Sequence, residues 1–356
     1  MTTPPLELPA TMRAQRLHVP TRTMTVEDVA VPRPGSGQVL VDVAYCGICH
    51  SDLSLIDGVF GGLGTPDVIT QGHEASGTIA ALGEGVTGWS VGDRVIPAAG
   101  RPCGTCANCL RGPVGQCLNI QLMAFAYDGA WAEYTVAMAF GLTQVPDGVP
   151  MDQAAILADA VSTPFGAVVH TGQVRIGEAV GVWGVGGVGT HIVQLARLVG
   201  ANPIIALDLE EAVRQRALEL GADFAFDSRD PDLQAKISEA TKGRMLDVAF
   251  DAVGVKATFE QGLAMLANGG RVVVVGLSGE DANLGSTLGF GLSRKQALGH
   301  LGYQGTDIAI LAELVASGRL DLSRSISGVV SLEDVGEGIR RLHERDGNPI
   351  RILVKP

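Results

Sequence analysis

The segment GVGGVG at residues 184–189 places Gly184, Gly186 and Gly189 in the spacing G-x-G-x-x-G. The spacing alone is weak, but its setting is restrictive. It follows the apolar run AVGVW and opens the amphipathic run THIVQLARLVG, and the next apolar run, PIIALD, ends on the acid Asp208. Strand, glycine turn, helix, strand and acid in that order begin a doubly wound parallel sheet. The glycines permit a tight turn and bring a helix N-terminus up to a pyrophosphate, with Gly187 and Val188 completing the loop; Asp208 accepts from the adenosine ribose hydroxyls. An aspartate repels a 2′-phosphate, so NAD is expected rather than NADP. The alternative is that Gly186 and Gly187 serve packing only.

From about Val168 onward the chain keeps this rhythm, through EEAVRQRALELGA, DVAFDAVG, ATFEQGLAMLANGG and RVVVVGL. From Gln38 to Val95 the text differs, with short β-rich runs such as QVLVDVAYCG, ASGTIAALG and GDRVIPAA separated by glycine turns, which reads as a β-barrel. A chain of 356 residues is too long for one core, and roughly 150 residues per domain suggests two. The helix LEDVGEGIRRLHERD and the final strand RILVKP have no place left in the parallel sheet and are expected to return to the first domain. The predicted division is 1–167 plus 318–356 for the barrel domain and 168–317 for the inserted Rossmann domain.

The net charge of −12 opposes a nucleic-acid or anionic-membrane surface, since both attract basic patches. Mean hydropathy is positive, yet no apolar run reaches the roughly 18 residues of a bilayer span, so neither partner is expected. The start MTTPPLELPATMRAQRL does not read as a secretion signal, and a cytoplasmic location is the expectation.

Four of the six cysteines fall in CGTCANCLRGPVGQC, at Cys103, Cys106, Cys109 and Cys117. In a reducing compartment such clustering points to metal, and four thiolates on one short loop can close a tetrahedral, structural zinc site. A reactive thiol cluster or an iron–sulfur site is the alternative, because ligand count does not fix the metal. The other two, Cys46 and Cys49, lie in CGICHSDLS, a CxxC outside any thioredoxin-like βαβ pattern. Downstream, His73 and Glu74 stand in GHEASG. Finally, ILADAVSTPF, residues 156–165, is apolar apart from Asp159 and two hydroxyls; a buried carboxylate needs a cation or donors nearby.

Taken in order, CGICHSD, GHEASGTI, VGDRV, the four-cysteine loop and GVGGVG closely resemble the zinc-dependent medium-chain alcohol dehydrogenases, from about Met12 to Pro356. The resemblance implies a GroES-like catalytic domain carrying two zinc ions per chain and NAD. It implies Cys49 and His73 as catalytic zinc ligands, with Cys46 a bystander. The third ligand, commonly Cys, falls at Asp159, as in a subgroup that uses Asp. Zinc accepts a carboxylate oxygen in a three-ligand catalytic site with an open fourth position. The competing role for Asp159 is a helix N-cap.

By the same resemblance Ser51 receives the alcohol proton, Asp52 orients His73, and Glu74 is the carboxylate beside the metal. His50 and Arg351 meet the cofactor pyrophosphate, and Thr163 lies near the nicotinamide. Three positions depart from the pattern. Ser54 stands where a relay histidine is usual, and Val213 replaces a ribose-binding lysine, leaving Asp208 to work alone. Ala99 replaces an aromatic residue against the substrate. The expected activity is reversible hydride transfer between a small-molecule alcohol and NAD, the carbonyl partner being a ketone or aldehyde, by a homodimer or homotetramer. Reduction of an activated C=C bond and a non-catalytic NAD-binding redox sensor are the alternatives.

Overall fold

The computed structural model describes residues 8–59, 64–112 and 116–356. Residues 113–115 of the four-cysteine loop, and the first seven of the chain, lie outside the described residues. Two compact units result, one from 1–160 with 304–356 and the other from 161–303.

In the second unit six strands form one parallel sheet, ordered Phe224–Asp227, Ile204–Asp208, Val180–Trp183, Leu246–Asp251, Leu266–Val274, Gln296–Gly299. The unit's first strand is central and the chain winds outward in both directions, the Rossmann order 3-2-1-4-5-6. Val180–Trp183 and Ile204–Leu207 are buried along their whole lengths, as strands covered on both faces must be. Trp183, Ile205, Leu207, Leu246 and Val272 join Leu233, Ile237, Phe259 and Leu263 from the helices in one core.

The main sheet of the first unit is barrel-like, in the order Leu142–Gln144, Arg94–Pro97, Glu74–Leu82, Gln38–Ile48, Arg351–Lys355, Ile326–Ser331, antiparallel except for the last pair, with Tyr134–Met138 also paired to Gln38–Ile48. The final strand does return to this sheet: Ile352 pairs with Ile48 and Val354 with Cys46. The helix Val335–His343 covers it through Val335 and Leu342.

Two expectations need correction. The unit boundaries fall at 160/161 and 303/304, not at 167/168 and 317/318. One physical reason is that the helix Asp307–Ala316 packs on Leu142–Gln144 of the barrel rather than extending the parallel sheet. Among the described residues one helix is also long and apolar enough to cross a bilayer, Met151–Thr171, because its acids do not break the hydropathy window. That window is 72% buried, and the helix's first turns pack on Gln38–Ile48 and Glu74–Leu82, so it is a core helix.

Candidate metal and cofactor sites

Two clusters of metal-ligating side chains stand out among the described residues: Cys103, Cys106, Cys109 and Cys117, and Cys49, His73, Glu74 and Asp159. In the first, Sγ–Sγ separations are 3.5 Å for Cys106–Cys109, 3.9 Å for Cys106–Cys117 and 3.5 Å for Cys117–Cys103. These exclude disulfides, whose sulfurs lie about 2.05 Å apart. A tetrahedron with zinc–sulfur bonds of about 2.3 Å has edges of about 3.8 Å, so the thiols fit that ion. Backbone amides are already aimed at the sulfurs: Cys103 N donates to Cys117 Sγ at 3.2 Å and Asn119 N to the same atom at 3.4 Å. Donation from the Thr105 and Cys106 amides holds the Cys103 thiol down at about 5, whereas desolvation and neighbouring sulfurs push Cys109 up to about 12.

The second cluster is assembled from three elements. Cys49 caps the short helix His50–Ile56, whose third residue, Asp52, accepts the Cys49 amide through Oδ2 at 2.9 Å. His73 and Glu74 enter the strand Glu74–Leu82, which pairs with Gln38–Ile48 so that Gly47 lies opposite Glu74. A Cβ at Gly47 would lie 2.0 Å from Glu74 Oε2, so the glycine of CGIC makes room for the carboxylate of GHE. Asp159 lies inside the helix Met151–Thr171, in a π-helical turn spanning Leu157–Val161. It is therefore not an N-cap, and the capping role is excluded. The π-turn offsets the side-chain register by one position and aims a carboxylate from an otherwise buried stretch; such turns concentrate at functional sites.

Asp159 Oδ2 lies 3.3 Å from His73 Nε2 and 3.7 Å from Cys49 Sγ. Tetrahedral zinc with bonds of about 2.3 Å to sulfur and 2.0–2.2 Å to nitrogen and oxygen spaces such pairs by about 3.4 and 3.6 Å. Behind the imidazole, His73 Nδ1 faces Asp52 Oδ1 at 3.5 Å, and Asp52 is wholly buried. Burial works against a charged His73, but Asp52, Asp159 and Cys49 outweigh it and raise its pKa well above the usual range. Without a cation this cluster crowds anionic groups in the interior; a divalent metal relieves that. Ser51 Oγ is 3.4 Å from His73 Nε2, at the edge of the cluster.

Glu74 is wholly buried, and desolvation lifts its carboxyl to about 7 even though Arg351 opposes the shift. Arg351 was expected at the pyrophosphate. It is 2% exposed, with Nε 3.4 Å from Glu74 Oε2 and Nη1 donating to Ile48 O at 2.8 Å. Its strand is interior to the barrel sheet, so the guanidinium is used as the counter-charge of Glu74. His50 is at the surface; partial desolvation and then the positive Arg351, Arg345 and His343 push its imidazole down to about 4. Cys46 is buried and outside the cluster. One residue escaped the sequence reading: the Phe125 ring packs 5.7 Å from the His73 ring. It supplies an aromatic wall against the imidazole. Its only signal was an apolar run, QLMAFAYDG, after the cysteine loop.

In the other unit, Gly187 begins the helix Gly187–Val199, with no side chain capping its N-terminus. Gly184 has φ +79, the left-handed turn. A Cβ on Gly189 would sit 1.8 Å from Gly184 O, whereas one on Gly186 would meet nothing within 4 Å. Gly189 is thus required by packing, and Gly186 lies beside open space at a helix N-terminus, a fit for a pyrophosphate. Gly189→Ala is expected to cost about 3 kcal/mol or more in thermal unfolding. Gly186→Ala should leave the melting temperature within about 2 °C but weaken NADH binding at least tenfold by calorimetry; unchanged affinity would remove the loop from the cofactor site. Asp208 is fixed beside this turn, Oδ2 accepting the Val185 amide at 2.8 Å and Oδ1 the Glu210 amide at 3.1 Å. Thr163 lies on Ser162–Phe165, and its carbonyl accepts from His300 Nε2 at 2.9 Å.

A doubly wound sheet with a glycine turn, joined in one chain to a barrel with a four-thiol cluster and a Cys-His-carboxylate cluster, defines the class of zinc-dependent dinucleotide dehydrogenases. Comparison with known proteins agrees. Residues 35–147 match the alcohol dehydrogenase GroES-like domain and residues 187–317 the zinc-binding dehydrogenase family. An NDMA-dependent alcohol dehydrogenase of Amycolatopsis methanolica is 32% identical over 96% of this chain and 98% of its own. An alcohol dehydrogenase of Geobacillus stearothermophilus is 36% identical over 73% of this chain and 76% of its own. The structure of acetophenone reductase from Geotrichum candidum in complex with NAD superposes with a TM-score of 0.87 at 28% identity, covering 98% of both chains. The chain belongs to the zinc-dependent medium-chain alcohol dehydrogenase family.

Proposed function

We propose that this chain is an NAD-dependent alcohol dehydrogenase and carbonyl reductase, acting on secondary, cyclic or aryl alcohols, with a catalytic zinc held by Cys49, His73 and Asp159 and a separate structural zinc held by the four-cysteine loop. The observation that carries the reading is the spacing of the Cys49, His73 and Asp159 donor atoms, 3.3 and 3.7 Å about Asp159 Oδ2. When bound, zinc supplies Lewis-acid polarisation of the substrate oxygen and NAD supplies the hydride acceptor.

The chain's own residues do the rest. Cys49 and Asp159 contribute one negative charge each, which balances a divalent ion around a neutral His73. Asp52 fixes the ring of His73 by facing Nδ1, leaving Nε2 for the metal. Ser51 Oγ accepts the proton of the substrate hydroxyl. Phe125 shields one side of the imidazole, and the alanine at 99 leaves room for a bulky carbinol. The amides around Gly186 hold the pyrophosphate, and Asp208 the adenosine ribose.

Zinc analysis and an alcohol panel test the reading together. About two zinc ions per chain, NADH formation on secondary or cyclic alcohols, and a higher kcat/KM with NAD than with NADP are expected. Fewer than about 1.5 zinc ions with full activity would refute the two-site assignment. Product analysis on an enone that shows C=C rather than carbonyl reduction would refute the reaction. The same preparation is expected to sediment as a dimer or tetramer, a reading supported by Leu288, Leu292 and Leu301, each more than two-thirds exposed at 71%, 75% and 71%.

A further inference from the structure

Asp208 does not work alone. Arg214, one position beyond the Val213 that departs from the family pattern, donates from Nη1 to the carbonyl of Asp208 at 2.9 Å and of Leu209 at 2.8 Å. Arg229 also reaches the Leu209 carbonyl, through Nη2 at 3.3 Å. Two guanidinium groups therefore stand at the acid that reads the ribose, the place where a cation favours a 2′-phosphate.

Both are restrained by one residue. Asp227 ends the strand Phe224–Asp227 and is the register partner of Asp208 on the neighbouring parallel strand. Parallel strands lie about 4.8 Å apart and paired residues point to the same face, so the two carboxylates stand side by side. Asp227 accepts from Arg229 Nε at 3.1 Å and Nη2 at 3.0 Å, and its Oδ2 lies 3.7 Å from Arg214 Nη1. The Arg229 side chain and amide hold the Asp227 carboxyl down at about 2, so it is ionised at neutral pH.

We propose that Asp227 is a second determinant of cofactor choice: it pairs with Arg214 and Arg229 and so keeps them from a 2′-phosphate. The proposal rests on the reading of Asp208 as the ribose acid. An isolated Asp208 beside two free arginines would present a net positive charge to the cofactor and discriminate weakly. Asp227 makes the group neutral, two carboxylates against two guanidinium groups, and orients the cations toward backbone carbonyls and itself.

Asp227→Asn is the test, because the Asn carbonyl oxygen can still accept the Arg229 amide that Asp227 Oδ1 accepts at 2.8 Å, preserving the local turn while removing the charge. The readout is calorimetric binding of 5′-AMP and 2′,5′-ADP, which needs neither zinc nor turnover. Wild type is expected to bind 5′-AMP more tightly. Asp227→Asn should raise affinity for 2′,5′-ADP at least tenfold and alter that for 5′-AMP less than threefold. Adding Arg214→Gln and Arg229→Gln to this variant should abolish the gain. Wild type that already prefers 2′,5′-ADP would refute the reading of Asp208 itself. Wild type that prefers 5′-AMP, with an unchanged ratio in folded Asp227→Asn, would overturn only the role of Asp227. A gain that survives loss of both arginines would overturn the pairing. Should Asp227→Asn not fold, Asp227→Ser carries the same expectations.

Discussion

Replacing Asp159 with Asn is expected to lower turnover by more than about 100-fold and to bring zinc toward one ion per chain, the four-cysteine ion remaining. Loss of a residue that merely orients a metal ligand already costs about 10- to 100-fold, so loss of a ligand should cost more. The substitution keeps shape and volume and removes only the anion. With Asn at 159, Cys49 would be the only anionic ligand of a divalent ion in a site where Cys49 and His73 are 8% and 6% exposed, and the uncompensated charge weakens binding. A purely structural role predicts the opposite. Asp159 lies within the helix Met151–Thr171 and not at its N-terminus, so Asn should be nearly silent for folding. Asp159→Cys should recover part of the zinc, although a zinc–sulfur bond of about 2.3 Å against about 2.0–2.2 Å for oxygen displaces the ion. A fully active Asn variant with two zinc ions would reject Asp159 as a ligand.

That Asp159 needed a partner was legible in the sequence, since a carboxylate among alanines, leucines and valines has few explanations. How the partner is reached was not. A π-turn leaves no mark on hydrophobic periodicity, so the helix Met151–Thr171 reads as an apolar stretch of uncertain type. The Rossmann order was legible because each element there is local: glycine turn, amphipathic helix and buried strand announce themselves within a dozen residues. Pairings distant in sequence were invisible. Glu74 and Arg351 meet only because the final strand is inserted beside Gln38–Ile48, and no spacing rule connects them. The same holds for Phe125 on His73. The masking of Arg214 and Arg229 by Asp227 required the parallel register of two strands, which the sequence gives no means to count.

The four-cysteine loop separates stability from chemistry. Cys106→Ser is expected to lose the structural zinc and lower the melting temperature strongly, while kcat/KM at 25 °C stays within about threefold of wild type. In small zinc domains the metal contributes an apparent 10–16 kcal/mol. If only about a third of that couples to global unfolding here, about 4 kcal/mol is lost, and at roughly 2–4 °C per kcal/mol the midpoint falls by about 8–16 °C. The damage should remain local because the loop is closed at its base. The strand Gly100–Arg101 pairs with Gln121–Leu122, and the Arg101 guanidinium stacks 4.0 Å above the Tyr127 ring. None of the four cysteines belongs to the Cys49–His73–Asp159 cluster. Cys49→Ser should show the reverse pattern, with turnover lost and the midpoint nearly unchanged, since its capping position and the Asp52 bond to its amide persist. Zinc analysis, calorimetry and kinetics on the two variants therefore form one experiment. If folded Cys106→Ser loses turnover as completely as Cys49→Ser, the two sites are coupled and the division between a stabilising and a catalytic zinc is wrong.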